Sequence, residues 1–203
     1  MTWQIIVNPH AGRKESPFAA VQHGVDERGL DAMVTETRSL DHLVDVVAAA
    51  ATDGHRDFVA VGGDGTAHHL VNAALGAAPE ADLRLSIIPA GSGSDFVRTF
   101  ALPSEIEPGL DRLVDPTTYT IDIGRASGSH GERYFLNALN CGVAAESVRV
   151  ADSLPRWAGG LRYTAAFWLA LGRFPRADLS VGVDHHRFTG DAINVVVANG
   201  QFF

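Results

Sequence analysis

The sequence predicts an α/β protein. Residues 1–117 read as a doubly wound parallel-sheet domain, and residues 118–203 as an incomplete β-rich, largely antiparallel second domain. Three observations lead there. Short apolar runs alternate with helical patterns through the first half. Glycine-rich loops follow several of those runs directly. After about Thr117 the alternation stops, and turn-bounded strands take over.

Each element has its own signal. WQIIV (Trp3 to Val7) is an apolar run closed by Asn8-Pro9, a strand and then a turn. Ser16 can cap a helix with Pro17 at its first position and Phe18, Val21 and Val25 on one face; Gly29 ends it. Asp31 to Thr37 reads as a second strand. Asp41 is the expected cap of the next helix, which carries Leu43, Val44, Val46 and Val47 and runs on to Ala51. Asp57 to Val61 is a third strand, followed by GGDGT and a helix over Ala67 to Ala77. Leu83 to Ala90 is a fourth strand, followed by GSGSDF and a short helix near Asp95. Beyond Thr117, strands are expected over Thr118–Ala126, Arg133–Val143, Ala177–Asp184 and Arg187–Gly200, with a helix over Gly159–Leu171. The chain stops at VVVANGQFF with no cap, turn or tail, which reads as an incomplete domain.

The 203-residue chain is 46% hydrophobic and 20% charged, an ordinary globular composition. Its formal net charge is −8 and it has no basic stripe, which argues against nucleic acid as a partner. That charge also argues against whole-surface attraction to anionic membranes, although not against a local apolar contact with lipid. The single cysteine, Cys141, excludes an internal disulfide and suits a reducing cytosol. It reads as a small buried hydrophobe. MTWQIIVNPH lacks the basic start of a signal peptide, and no run reaches the ~20 apolar residues that span a bilayer.

The glycine loops carry the chemistry. A parallel sheet binds ligands beyond the carboxyl ends of its strands. There, a glycine-rich strand-to-helix turn exposes backbone N–H groups at a helix N-terminus, where a phosphate is favoured. Gly62, Gly63 and Gly65 fit this role. Asp64 would repel a phosphate unless a cation lies between them, and Mg²⁺ resolves the conflict. Thr66 can cap the helix or donate to a phosphate. The bland alternative is a tight turn with Asp64 and Thr66 as caps. GSGSDF repeats the pattern: Gly91 and Gly93 open the backbone, Ser92 offers a hydroxyl, and Asp95 either caps a helix or joins Asp64 at a metal.

NPHAG after the first strand, GGDGT after the third and PAGSGSDF after the fourth resemble the diacylglycerol kinase-like lipid kinases, the group of bacterial diacylglycerol kinases, sphingosine kinases and ceramide kinases. IDIG (Ile121 to Gly124) and FLNALNCGVAAE (Phe135 to Glu146) continue the resemblance in order. The glycine motif is shared with NAD kinases; PAGSGSDF points to the lipid branch. The resemblance implies ATP between a nucleotide domain and a β-rich lipid-substrate domain. ATP contacts are implied at Asn8, Pro9, His10, Ala11, Gly12, Thr37, Gly62, Gly63, Asp64, Gly65, Thr66, Ala67, His68, His69, Gly91, Ser92 and Gly93. A water-mediated Mg²⁺ network is implied at Asp64, Asp95 and Asp122. No catalytic base is expected within the chain, because the family's Asp-Gly-Glu carboxylate would fall beyond Phe203.

The departures are local. The family's Thr-x-Asn-Glu reads Thr66-Ala67-His68-His69 here, so an imidazole replaces a carboxylate at His69. Ser94 stands where the family has asparagine, and Arg13-Lys14 where it has a second glycine; those cations either touch phosphates or form a solvated pair. Adjacent histidines (His68-His69 and His185-His186) point apart and make poor zinc sites. The aromatics Trp157, Phe167 and Trp168 read as core packing in preference to an interfacial helix.

The expected function is a cytoplasmic lipid kinase, peripheral to the inner membrane face, that phosphorylates a lipid hydroxyl, first of all that of diacylglycerol to give phosphatidic acid. ATP and Mg²⁺ are the expected cofactors. The alternatives are a non-catalytic nucleotide-binding module and a kinase of a soluble acceptor such as NAD. An exposed sheet edge near the chain end offers a route to a homodimer.

Overall fold

The computed structural model describes residues 2–11, 15–79, 81–90, 95–129, 131–154, 161–173 and 177–200. Strands β1 (Trp3–Val7), β2 (Ala32–Glu36), β3 (Asp57–Gly62) and β4 (Arg84–Pro89) form one parallel sheet in the order β2-β1-β3-β4. β1 and β3 are central and buried along their whole length. A strand covered on both faces must be apolar on both, so these two read as continuous runs rather than as alternation.

Helices cover both faces. Trp3, Ile5 and Val7 point to one core with Val21 and Val25 of α1 (Phe18–Arg28) and Leu110 and Leu113 of α5 (Ile106–Val114). Ile6 points to the other, with Leu43 and Val47 of α2 (Leu40–Thr52) and Leu70 and Ala74 of α3 (Asp64–Ala77). This is the expected doubly wound arrangement. Phe58, Ile5, Ile6, Leu70 and Ile88 are fully buried, each stabilising the fold by about 1.5–3 kcal/mol relative to exposure.

Helix ends follow the local chemistry. The Ser16 hydroxyl accepts from the Phe18 N–H at 3.2 Å. Gly29 closes α1 in the left-handed region, φ 59°. The cap of α2 is Ser39, not Asp41: its hydroxyl accepts from the His42 N–H at 3.1 Å, and Asp41 sits in the first turn where its charge suits the dipole. α3 begins at Asp64, earlier than the glycines suggest. α4 (Asp95–Thr99) is the short helix expected there, whereas α5 was not expected, because Pro108 and Gly109 read as turn residues. Proline is tolerated in a first turn, where its missing N–H costs nothing.

The chain forms two compact units, one running to Asn137 and resuming at Asn199, the other Ala138–Ala198. The change of character near Thr117 does not coincide with that division. The hairpin of β5 (Gly124–Gly128) and β6 (Gly131–Phe135) stays with the first unit. Asn72 of α3 ties it there: its amide donates to the Tyr134 carbonyl at 2.9 Å and accepts from the Tyr134 N–H at 2.9 Å, as a strand partner would. Residues 118–123, expected as strand, are irregular; Ile121 and Ile123 pack against the core and Asp122 between them is exposed.

In the second unit β7 (Ala138–Gly142) pairs antiparallel with β10 (Asn194–Ala198), and β8 (Ala177–Val183) pairs antiparallel with β9 (His186–Ala192). The strand expected through Val143 ends at Gly142. Its φ of 119° and the Ile193 carbonyl against its Cα leave no room for a side chain. There the chain turns into an unexpected helix, α6 (Val143–Ser153), whose Ala144 N–H donates to Asn194 Oδ1 at 3.1 Å. α6 packs against α7 (Leu161–Arg173). Among the described residues, α7 buries Ala166 and Ala170, while Tyr163, Phe167, Trp168 and Leu169 are exposed, against the expectation of core packing for Phe167 and Trp168. Trp157 lies outside the described residues. Cys141 is exposed rather than buried, on a strand that pairs with β10. Among the described residues no helix is long and apolar enough to cross a membrane.

Candidate functional site

The order β2-β1-β3-β4 reverses direction between β1 and β3, which opens a crevice at their carboxyl ends. A cleft of about 480 Å³ lies there. Asn8, Pro9 and His10 follow β1, Thr37, Arg38 and Ser39 follow β2, and Gly63, Gly65 and Thr66 follow β3; Leu40 and Leu43 of α2 and His69 of α3 complete the wall.

Hydrogen bonds fix this wall. The Asn8 N–H donates to the Val61 carbonyl at 3.0 Å, and its side-chain amide donates to Thr66 Oγ1 at 3.1 Å. Its carbonyl Oδ1 accepts from the His10 N–H at 3.0 Å, folding the chain over the cleft. The Thr37 hydroxyl is buried and donates to the Val7 carbonyl at 3.2 Å, so Thr37 is anchored in place. Thus the loop after β1 is tied to β3 and α3, and the loop after β2 is tied to β1.

The three glycines of GGDGT differ. Gly62 is buried, and a Cβ there would run into the Thr66 side chain; close packing explains it. Gly63 and Gly65 have no such reason. A Cβ on either meets nothing within 4 Å. Gly63 is extended (φ −101°, ψ −172°), a conformation open to any residue, and caps α3 with no side-chain bond. Gly65 lies in the helix, outside the left-handed region. A helical glycine costs about 0.5–1 kcal/mol relative to alanine. Nothing among the described residues accounts for that cost.

Eight of the residues expected from the sequence meet at this cleft: Asn8, Pro9, His10, Thr37, Gly63, Gly65, Thr66 and His69. Ala11 lies beside it, its N–H bonded to the Asn8 carbonyl at 3.1 Å. Ala67 points into the core, and its N–H returns to the Gly63 carbonyl. His68 lies beside Asn72 and under the influence of Arg133, away from the cleft wall. Asp64 is half-buried in the first turn of α3, with Oδ1 3.4 Å from the Phe96 N–H of α4, so the first turns of α3 and α4 meet. Asp122 is exposed, and its carbonyl accepts from the Asn199 amide at 2.8 Å. Gly12, Gly91, Ser92, Gly93 and the Asp95 side chain lie outside the described residues, as do Arg13, Lys14 and Ser94. Among the described residues no three acidic, histidine or cysteine side chains gather as a metal cage.

Arg38, Ser39, Leu40 and Leu43 were not foreseen as cleft residues. Their signal was present: Thr-Arg-Ser-Leu follows β2 directly, and Ser39 is a good helix cap.

Known proteins match this arrangement. The family model described as the diacylglycerol kinase catalytic domain matches residues 2–126. A diacylglycerol kinase of Staphylococcus haemolyticus is 30% identical over 185 residues, covering 90% of this chain and 49% of that protein. A probable lipid kinase, YegS-like, of Pseudomonas savastanoi is 30% identical over 161 residues, covering 77% of this chain and 49% of its own. The chain therefore spans about half the length of the curated relatives it matches. The crystal structure of a diacylglycerol kinase from Bacillus anthracis superposes with a TM-score of 0.68 at 20% identity, over all of this chain and 64% of that one, a likeness of fold.

Proposed function

The chain belongs to the diacylglycerol kinase catalytic-domain family, and from that premise we propose that it binds MgATP in the cleft and serves transfer of the γ-phosphoryl group to a lipid hydroxyl, first of all that of diacylglycerol. The observation that carries this reading is the pair of glycines, Gly63 and Gly65, at the N-terminus of α3, for which the described residues show no packing cause. Phosphate oxygens can approach that backbone where any side chain would stand in the way.

Each wall residue has a role. Gly63, Gly65 and the first turn of α3 receive the phosphates. Asn8, held by Val61 and holding Thr66, fixes the floor. Leu40 and Leu43 offer an apolar surface to the base or sugar. Asp64, Asp95 and Asp122 supply only carboxylate oxygens, the hard donors Mg²⁺ prefers, and would hold it through water. Mg²⁺ would neutralise charge on the phosphates as the bond to the leaving ADP breaks. No carboxylate lines the described cleft wall, so the proton of the lipid hydroxyl goes to a group elsewhere.

The lipid half of the reading draws on α7. Its exposed Tyr163, Phe167, Trp168 and Leu169 lie between Arg162 and Arg173 on a helix without an acidic residue. Aromatic bodies with basic flanks suit a membrane interface and support the reading of a protein that visits the inner membrane face.

The test is transfer of labelled γ-phosphate to diacylglycerol in mixed micelles, with ceramide, sphingosine and NAD as alternative acceptors, using this chain and its full-length form. Transfer abolished by Asp64→Ala supports the reading. Binding of MgATP with transfer to no acceptor would leave a nucleotide-binding module.

A further inference from the structure

Among the described residues, the ionisable side chains of the cleft wall are His10, Arg38 and His69, with no aspartate or glutamate. In a chain of net charge −8 this is a local reversal of sign. His69 lies one helical turn beyond Thr66, on the stripe of α3 that begins with the bare glycines. It is half-buried, and its ring meets that of His68 edge-on at 5.3 Å. The guanidinium of Arg133 of β6 acts on it, its neighbour His68 lies against it, Arg38 and His10 line the same cleft, and Asp64 lies in the first turn of the same helix.

Resting on the nucleotide reading above, we propose that His69 is a proton-coupled phosphate contact: it becomes charged as a polyphosphate enters the cleft, and the chain binds nucleotide more tightly in mild acid. The environment sets this up. Burial, and then the Arg133 guanidinium, hold His69 below the ordinary histidine range. Burial, then His69 and Arg133, do the same to His68. At neutral pH the His69 imidazole of the empty cleft is therefore uncharged. A polyphosphate brings several negative charges to the cleft that His69 lines, and so favours the imidazolium. The coupling is reciprocal: a ligand that favours the protonated form is itself favoured by protons. A glutamate at this position would have the opposite effect, meeting the phosphates with like charge unless a metal intervened.

One proton taken up on binding raises affinity by at most tenfold for each pH unit lowered. Between about pH 8 and pH 6, a gain of about five- to tenfold is expected, since His69 is only half-buried and solvent screens part of the effect. The measurement is calorimetric titration of the chain with ATP, with and without excess magnesium, at several pH values and in two buffers of different ionisation enthalpy. His69→Gln is run beside it, with its fold checked by circular dichroism. The gain on acidification and the proton uptake should both be lost in His69→Gln. That comparison also removes the ATP phosphate's own titration. In the wild type, the imidazole NMR resonance missing from His69→Gln should titrate at higher pH when ATP is bound. Equal slopes in wild type and variant, or an unmoved imidazole titration with ATP bound, overturn the inference and leave the nucleotide site standing. No ATP binding by the folded wild type at any pH overturns the nucleotide reading, and this inference with it.

Discussion

The two units of this chain handle apolar side chains in opposite ways. The first buries Phe58, Ile5, Ile6, Leu70, Ile88 and Leu110 completely, on both faces of a parallel sheet. Among the described residues of the second unit the buried side chains are small, Val143, Ala151, Ala166 and Ala170, while Trp168, Phe188, Val183 and Val197 face outward. A crossover sheet must be covered on both sides to exist, so its site is rigid by construction. Two-stranded pairs and a helical hairpin can keep their apolar surface for something else. The difference suggests a division of labour: a fixed nucleotide cleft on one unit and an apolar surface for lipid on the other.

The largest effect should separate the units. Phe58→Ala should cost about 3–5 kcal/mol in chemical denaturation, through lost burial and the cavity left behind. Trp168→Ala, 65% exposed, should change stability by less than ~0.5 kcal/mol while weakening sedimentation with anionic vesicles. A large stability loss at Trp168 would erase the contrast.

Within the first unit the glycines sharpen it. Gly62→Ala should lose about 1–3 kcal/mol, because the new methyl group meets Thr66. Gly65→Ala should hold or gain about 0.5–1 kcal/mol, yet lose nucleotide affinity. Thermal unfolding with and without MgATP distinguishes the two. Asn72→Ala should cost about 1–3 kcal/mol by stranding the Tyr134 N–H and carbonyl, with amide exchange of β6 accelerated.

The smallest effect concerns protons. The pKa of His68 is lowered in the folded chain, so the unfolded chain binds the extra proton. Its contribution to stability is present above the ordinary histidine pKa and fades as pH falls through that value toward the folded one. His68→Gln should therefore flatten the fall in melting temperature between about pH 7 and pH 5. An unchanged slope would mean that solvent screens this half-buried group.

Much of this was legible in the sequence. WQIIV and DFVAV showed the central strands because burial on both faces demands unbroken apolar runs. GGDGT pointed to the cleft because helical glycine costs stability, and Gly63, Gly65 and Thr66 do line it. What escaped depended on distant partners. α5 was hidden by Pro108 and Gly109, which a first turn tolerates and the packing of Leu110 and Leu113 outweighs. α6 was hidden because only the contact of Gly142 with Ile193, some fifty residues away, shows where β7 must end. Arg38 and Ser39 were within reach, since they follow β2 directly and Ser39 is a good helix cap, but that β2 lies beside β1 at the cleft is set by a pairing between distant strands.

The most direct measurement of the central claim is MgATP titration of the wild type against Gly63→Val. This side chain enters open space and needs no unusual backbone, so the fold should survive intact. The account predicts saturable binding by the wild type and none by the folded variant. Equal binding by both would mean that the bare backbone after β3 is not where the phosphates sit.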